Sequence, residues 1–140
     1  MTDLNSRVRD FFGQYETANA EFEVQKIAAV YADGFMFGGP EGVQWVKKED
    51  FVKVLPRRKE MFRAMGLASS TLQSLEATAL DPRYTLVRTV WKMRIERDGK
   101  VVESENAATY ILFKAENGFQ IVSQIDHQDL RKKLQELGVA

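Results

Sequence analysis

The sequence predicts an α+β protein, with helices first and antiparallel strands after them. Two observations carry this. Apolar residues recur at helical spacing through roughly the first half of the chain, and from Ser69 onward the period becomes two. The second half is also punctuated by Asp98-Gly99 and Glu116-Asn117-Gly118, both strong hairpin signals. Helices segregated from antiparallel strands define the α+β class.

The first helix carries Val8, Phe11, Phe12, Tyr15 and Ala18 on one face. A second, shorter helix places Val24, Ile27, Ala28 and Tyr31 on one stripe, with Gly34 as its left-handed end. Phe35 to Phe37 then read as a short strand, Gly38-Gly39-Pro40 as a turn, and Val43 to Val46 as a second short strand. A third helix opens at Lys48, Glu49 and Asp50, its acidic residues close to the positive end of the helix dipole. Its stripe is Phe51, Val54, Leu55, Phe62 and Met65. Pro56 inside it predicts a kink or two joined pieces, and Gly66 closes it.

Thr71 to Ala79 reads as a strand and Asp81-Pro82 as a turn. Tyr84 to Arg97 has the clearest alternation. Val87, Thr89, Trp91, Met93 and Ile95 face one way; Arg88, Lys92, Arg94 and Glu96 face the other. A long strand to Lys114 and a last one from Phe119 to about Asp126 follow, then a short terminal helix. The helices must cover one sheet face. The charged face meets water or a second copy.

At 140 residues one domain, 1–140, is expected, large enough to bury a core without staples. Lys plus Arg and Asp plus Glu each number 20, so no net charge draws the chain toward nucleic acid or anionic lipid. The chain has no cysteine, which excludes disulfides, thiolate zinc sites and thiol nucleophiles. With a single histidine and no ligand-spacing motif, no metal and no cofactor are expected. The N-terminus lacks a signal-peptide core and no run approaches the roughly 18 apolar residues of a membrane span, so a cytoplasmic protein is expected. Arg57, Arg58, Lys59 and Arg63 read as a solvated helix face.

The stretch YADGFMFGGPEG (31–42), the Pro-containing helix after it, and the DPRYTLVRTVW, ERDG and AENG pattern resemble the cone-shaped nuclear transport factor 2-like (NTF2-like) superfamily. That superfamily includes scytalone dehydratase, ketosteroid isomerase and polyketide cyclases. The resemblance spans nearly the whole chain and implies an NTF2-like cone: three N-terminal helices on a curved, mainly antiparallel sheet. It also implies a homodimer through the outer sheet face, where the strand alternation offers Leu75, Leu86, Val90 and Val122, among charged neighbours, as apolar contacts. The fold hosts enzymes, carriers and assembly domains alike.

By resemblance to the ketosteroid isomerase-like branch, Tyr15 falls on the oxyanion tyrosine. Gly39 falls on the general-base aspartate, and glycine cannot abstract a proton. Tyr110 falls on the second oxyanion donor, and Ser123, Ile125 and His127 on pocket-facing positions of the last strand. The resulting candidate pocket comprises Tyr15, Phe37, Trp91, Met93, Tyr110, Ser123 and His127, with Tyr15 and His127 as catalytic candidates.

Each candidate reads two ways. Tyr15 and Tyr110 are either paired hydrogen-bond donors or amphipathic core residues. His127 is either a general acid–base group or a cap at the strand-to-helix junction. Asp126 points away from the His127 face by strand alternation. Three functions follow. The chain is a SnoaL-like protein holding a small, largely apolar molecule; or an isomerase, cyclase or dehydratase using Tyr15, Tyr110 and His127; or a dimeric assembly domain.

Overall fold

The computed structural model describes residues 3–136. Helix α1 (Leu4–Ala20) starts at Asp3, whose side chain accepts a hydrogen bond from the Ser6 amide at 2.7 Å. This satisfies one of the donors that a helix N-terminus leaves open. Val8, Phe11, Phe12 and Ala18 are buried, as their spacing requires. Helix α2 (Val24–Ala29) buries Ile27 and Ala28.

Tyr31 is not on α2. The helix closes at Val30, and Tyr31 opens strand β1 (Tyr31–Gly39), which is longer than the three residues expected. The reason is long-range: the Val30 carbonyl accepts from the Ile121 amide at 2.8 Å, so the chain is already in the sheet there. Gly34 has no positive φ either. It is a strand residue, and a Cβ there would overlap the Trp45 indole lying across it.

Strand β2 (Gly42–Lys47) pairs antiparallel with β1 through a Pro40-Glu41 turn. Helix α3 (Lys48–Ala64) follows without a break and contains Pro56. Strand β3 (Leu67–Ala79) begins directly after Gly66, earlier than the alternation implies. Strands β4 (Tyr84–Arg97), β5 (Lys100–Ala115) and β6 (Gly118–Asp126) complete the sheet, and α4 (Leu130–Glu136) lies at the end. The strand order is β2-β1-β6-β5-β4-β3, antiparallel throughout except that β1 runs parallel to β6. The sheet is curved, with register shifts in the β1–β6, β3–β4 and β5–β6 pairings.

The main core lies between α1–α3 and the inner sheet face, where Phe12, Ile27, Phe35, Val87, Leu112 and Ile121 are fully enclosed. A small second cluster gathers around Ile95 with Met65, Leu67, Met93 and Val102. Leu75 corrects the outer-face assignment. The shift between Leu72 and Ser74 inserts one residue, so Leu72 and Leu75 both pack on the main core.

No helix among the described residues is long and apolar enough to cross a membrane.

Candidate functional site

The inner surface is dominated by aromatic rings in mutual contact. Tyr15 lies on α1, one turn beyond Phe12. Its ring centroid is 6.3 Å from that of Tyr31, 5.8 Å from Trp91 and 6.3 Å from Tyr110. Tyr31 packs in turn on Phe35 at 4.5 Å and Phe51 at 4.8 Å. Filling the cone this way leaves three phenol hydroxyls inside, and buried hydroxyls require partners.

Two of them share one chain of hydrogen bonds. The Tyr31 hydroxyl donates to Gln124 Oε1 at 2.7 Å, and Gln124 Nε2 donates to Asp126 Oδ1 at 3.2 Å. The Tyr31 proton is thereby committed, so Tyr15 is the donor in the 3.3 Å contact between the two phenols. All donors point the same way, and the chain ends at a carboxylate.

Burial raises the Tyr15 phenol pKa, opposed by the positive charge of Arg58. It raises Tyr31 and Tyr110 further, well above the usual phenol range. The three phenols are therefore neutral at physiological pH. Trp91 is satisfied separately: its Nε1–H donates to Thr89 Oγ1 at 2.9 Å, and that hydroxyl donates to the Ala108 carbonyl at 2.8 Å.

An open space lies apart from these rings, at the end of the β1–β2 hairpin, which forms the cone mouth. A shallow cleft of about 410 Å³ lies between the β1–β2 hairpin and the segment leaving β6. Phe37, Gly39, Val43, Gln44, Asp126 and Gln128 are among its walls. Asp126 is thus shared: its carboxyl receives the end of the tyrosine chain, and the residue also lines the cleft. A Cβ on Gly39 would sit 3.9 Å from the Asp126 carbonyl oxygen. The glycine that stands at the resemblance's general-base position therefore adjoins a carboxylate residue contributed by β6.

Burial raises the Asp126 pKa above its ordinary value of 3.8, with the Gln124 bond and the Arg58 charge opposing. The folded protein thus binds this proton more tightly than the unfolded chain does. The stabilisation is fully present below pH 3.8 and is lost as pH rises through the folded pKa. Asp126→Asn is expected to abolish that loss and to be more stable than wild type at neutral pH. Urea denaturation of both proteins across this pH range checks it; a variant less stable at pH 7 would show that the ionised carboxylate is stabilised by its surroundings.

Tyr15, Trp91 and Tyr110 come together as expected, and Tyr31 enters among them. Phe37 is half-buried on the cleft wall. Met93 does not join them: it sits in the Ile95 cluster, its sulfur 3.1 Å from Asn106 Nδ2. Ser123, Ile125 and His127 do not face the interior. A register shift between the Ile111–Ser123 and Leu112–Ile121 pairs adds one residue to β6, so beyond the buried Ile121 it is Gln124 and Asp126 that turn inward. Ser123 pairs with Ile111 and Ile125 with Thr109 on the outer face. His127 is exposed there, its Nε2 2.7 Å from Thr109 Oγ1.

Gln124 and Asp126 escape sequence reading because a bulge leaves no mark in the alternation. Arg58 does leave one. It completes the α3 stripe Phe51, Leu55, Arg58, Phe62 at i, i+4, i+7 and i+11. It is half-buried rather than solvated. No group of three or more acidic, histidine or cysteine side chains able to hold a metal occurs among the described residues.

No curated protein matches the chain. Several solved structures share the fold. The beta subunit of benzoate 1,2-dioxygenase from Burkholderia mallei superimposes with a TM-score of 0.73 at 15% identity, over 94% of each chain. An NTF2-like protein with a cystatin-like fold from Novosphingobium aromaticivorans gives 0.71 at 11% identity, over 88% of this chain and 80% of that one. A ketosteroid isomerase-like protein from Shewanella frigidimarina gives 0.65 at 15% identity, over 84% and 91%. At such identities the likeness is one of fold. The family described as "NTF2-like protein (DUF6841)" matches residues 5–129. With the helix-first order, the curved sheet and this match in agreement, the chain belongs to the NTF2-like family.

Proposed function

We propose that the protein binds a small organic molecule at the cone mouth, with Asp126 as the hydrogen-bonding and acid–base group of the site. One observation carries this: a partly desolvated carboxylate on a cleft wall is held from behind by a buried network. A perturbed acid in a concave surface is a common mark of a functional site. The mixed lining, apolar from Phe37 and Val43 and polar from Gln44 and Gln128, suits a molecule with an apolar body and a few polar groups.

Proton transfer is the chemistry that such an acid supports. Asp126 supplies the carboxylate that Gly39 cannot, while Tyr15 donates to Tyr31 and is not free to donate to a ligand. Native mass spectrometry of the protein as purified, with mild activation, tests the reading. A stoichiometric organic adduct is expected, lost in Asp126→Asn at unchanged fold. An adduct retained in that variant would remove Asp126 from the site.

A second reading, assembly through the outer sheet face, is favoured by one patch. Met36, Val43, Trp45 and Ile125 are exposed on three adjacent strands, Val43 and Trp45 each by 65%. Exposed apolar clusters of this kind mark interaction surfaces. The expected occupant is a second copy, and Trp45→Asp is expected to raise the dimer dissociation constant by at least about tenfold. Sedimentation velocity over a dilution series reads this. An unchanged assembly would place the interface elsewhere.

A further inference from the structure

Arg58 stands where the α3 pattern calls for an apolar residue. Phe51 and Leu55, seven and three positions before it, are buried, and the helix turns this face to the core. The guanidinium carbon lies 5.9 Å from the Phe37 ring centroid, 5.9 Å from Phe51 and 5.8 Å from Phe62. Phe37 also lines the cleft, so the guanidinium flanks one of its walls without itself lining it.

The other cations of α3 are differently placed, with Lys53 and Arg57 exposed to solvent. Arg63 is paired with Glu60 at 2.8 Å, Lys48 with Asp33 at 3.7 Å, and Lys59 Nζ lies over Phe22 at 4.4 Å. Among the described residues no carboxylate lies within ion-pair distance of Arg58, and none of its five N–H donors bonds to a protein acceptor. Charged side chains are seldom placed on a core-facing stripe unless they are paired. Three ring faces satisfy the cation from the side but leave its hydrogen-bonding fork open.

We propose that Arg58 is the anion-recognising residue of the cone mouth, and that the ligand is an aryl or alkyl carboxylate. The inference rests on the reading of the mouth as a ligand site. A guanidinium binds a planar carboxylate through two parallel N–H···O bonds, and such charge-assisted pairs are about twice as strong as neutral ones. Phe37 is the shared wall: it lines the cleft and flanks Arg58, so an apolar body against Phe37 brings a carboxylate toward the fork. Glu41 and Asp129 also line the cleft and oppose an anion there. Glu41 is exposed to screening water, and Asp129 is occupied in capping α4 through the Lys132 amide at 3.2 Å. Asp126 is the remaining acid, and protonation lets it donate to the same carboxylate.

The test uses phenylacetate and its neutral counterpart phenylacetamide as probes, titrated into 15N-labelled protein. Phenylacetate is expected to shift the Arg58 Nε–H signal and the amides of Phe37, Gly39 and Asp126. It should bind at least about tenfold tighter than the amide. Arg58→Met, which keeps the stem and removes the charge, should erase that preference, whereas Arg58→Lys should keep part of it. Equal affinities for acid and amide at the cleft would overturn the anion assignment and leave the ligand site standing. No shift at the cleft from either probe would overturn both. A preference that survives in Arg58→Met would place the anion seat on another residue. If Arg58→Met does not fold, the wild-type comparison and the Arg58 Nε–H signal decide alone.

Discussion

Phe12→Ala is expected to lose about 3–5 kcal/mol of folding stability, the largest effect of any single truncation in this core. Phe12 is fully buried and sits beneath Tyr15, Trp91 and Tyr110 of the aromatic assembly. Its ring centroid lies 5.2 Å from Phe11, 5.8 Å from Tyr15, 6.4 Å from Trp91 and 4.9 Å from Tyr110. Truncation removes those contacts and leaves a void that neighbours anchored on two different layers cannot easily close. The consequence reaches the site, because Tyr15 and Tyr110 are oriented by the ring beneath them. Urea denaturation should show a lower midpoint with an unchanged slope. A loss below about 1 kcal/mol would mean that the surrounding rings collapse into the space, and that the phenols are not held by packing.

Gly66→Ala is expected to cost about 2–4 kcal/mol for a different reason, backbone geometry combined with a steric clash. Gly66 has φ of +90°, and a Cβ there would overlap the Glu96 carbonyl oxygen while lying 3.2 Å from Arg97 Cβ. The residue makes the sharp passage from α3 into β3. Its amide donates to the Arg63 carbonyl at 3.0 Å and its own carbonyl accepts from the Glu96 amide at 2.7 Å. Relief would have to move the end of β4 or the end of α3, the helix that carries Arg58. Gly99 supplies the control. It has φ of +79°, but a methyl group placed on its Cα would meet nothing within 4 Å. Gly99→Ala therefore carries the conformational cost alone, about 1–2 kcal/mol. Equal losses in the two variants, measured by thermal and urea unfolding, would show that the Glu96 contact yields without cost.

Local pattern is enough for the architecture. The Phe11-Phe12-Tyr15 spacing, the strand alternation around Trp91 and the Asp98-Gly99 turn each reflect chemistry within a few residues, and such signals survive in the linear chain. They establish α+β class and helix-first order, and the NTF2-like resemblance adds the convergence of Tyr15 and Tyr110. Arg58 is equally legible, as a cation in an apolar stripe, although the basic residues around it suggest a solvated run.

What the linear chain does not show depends on pairing between distant segments. Tyr31 belongs to β1 because β6 bonds to the chain at Val30. Leu75 faces inward because β3 slips by one residue against β4. Gln124 and Asp126, rather than Ser123 and His127, face the interior because β6 slips by one against β5. A one-residue shift reverses every side chain beyond it, and its cause is the fit of two strands against a curved core. Fold class is thus written in local periodicity. The identity of the acid at the cone mouth is settled by register, which exists only once the sheet has formed.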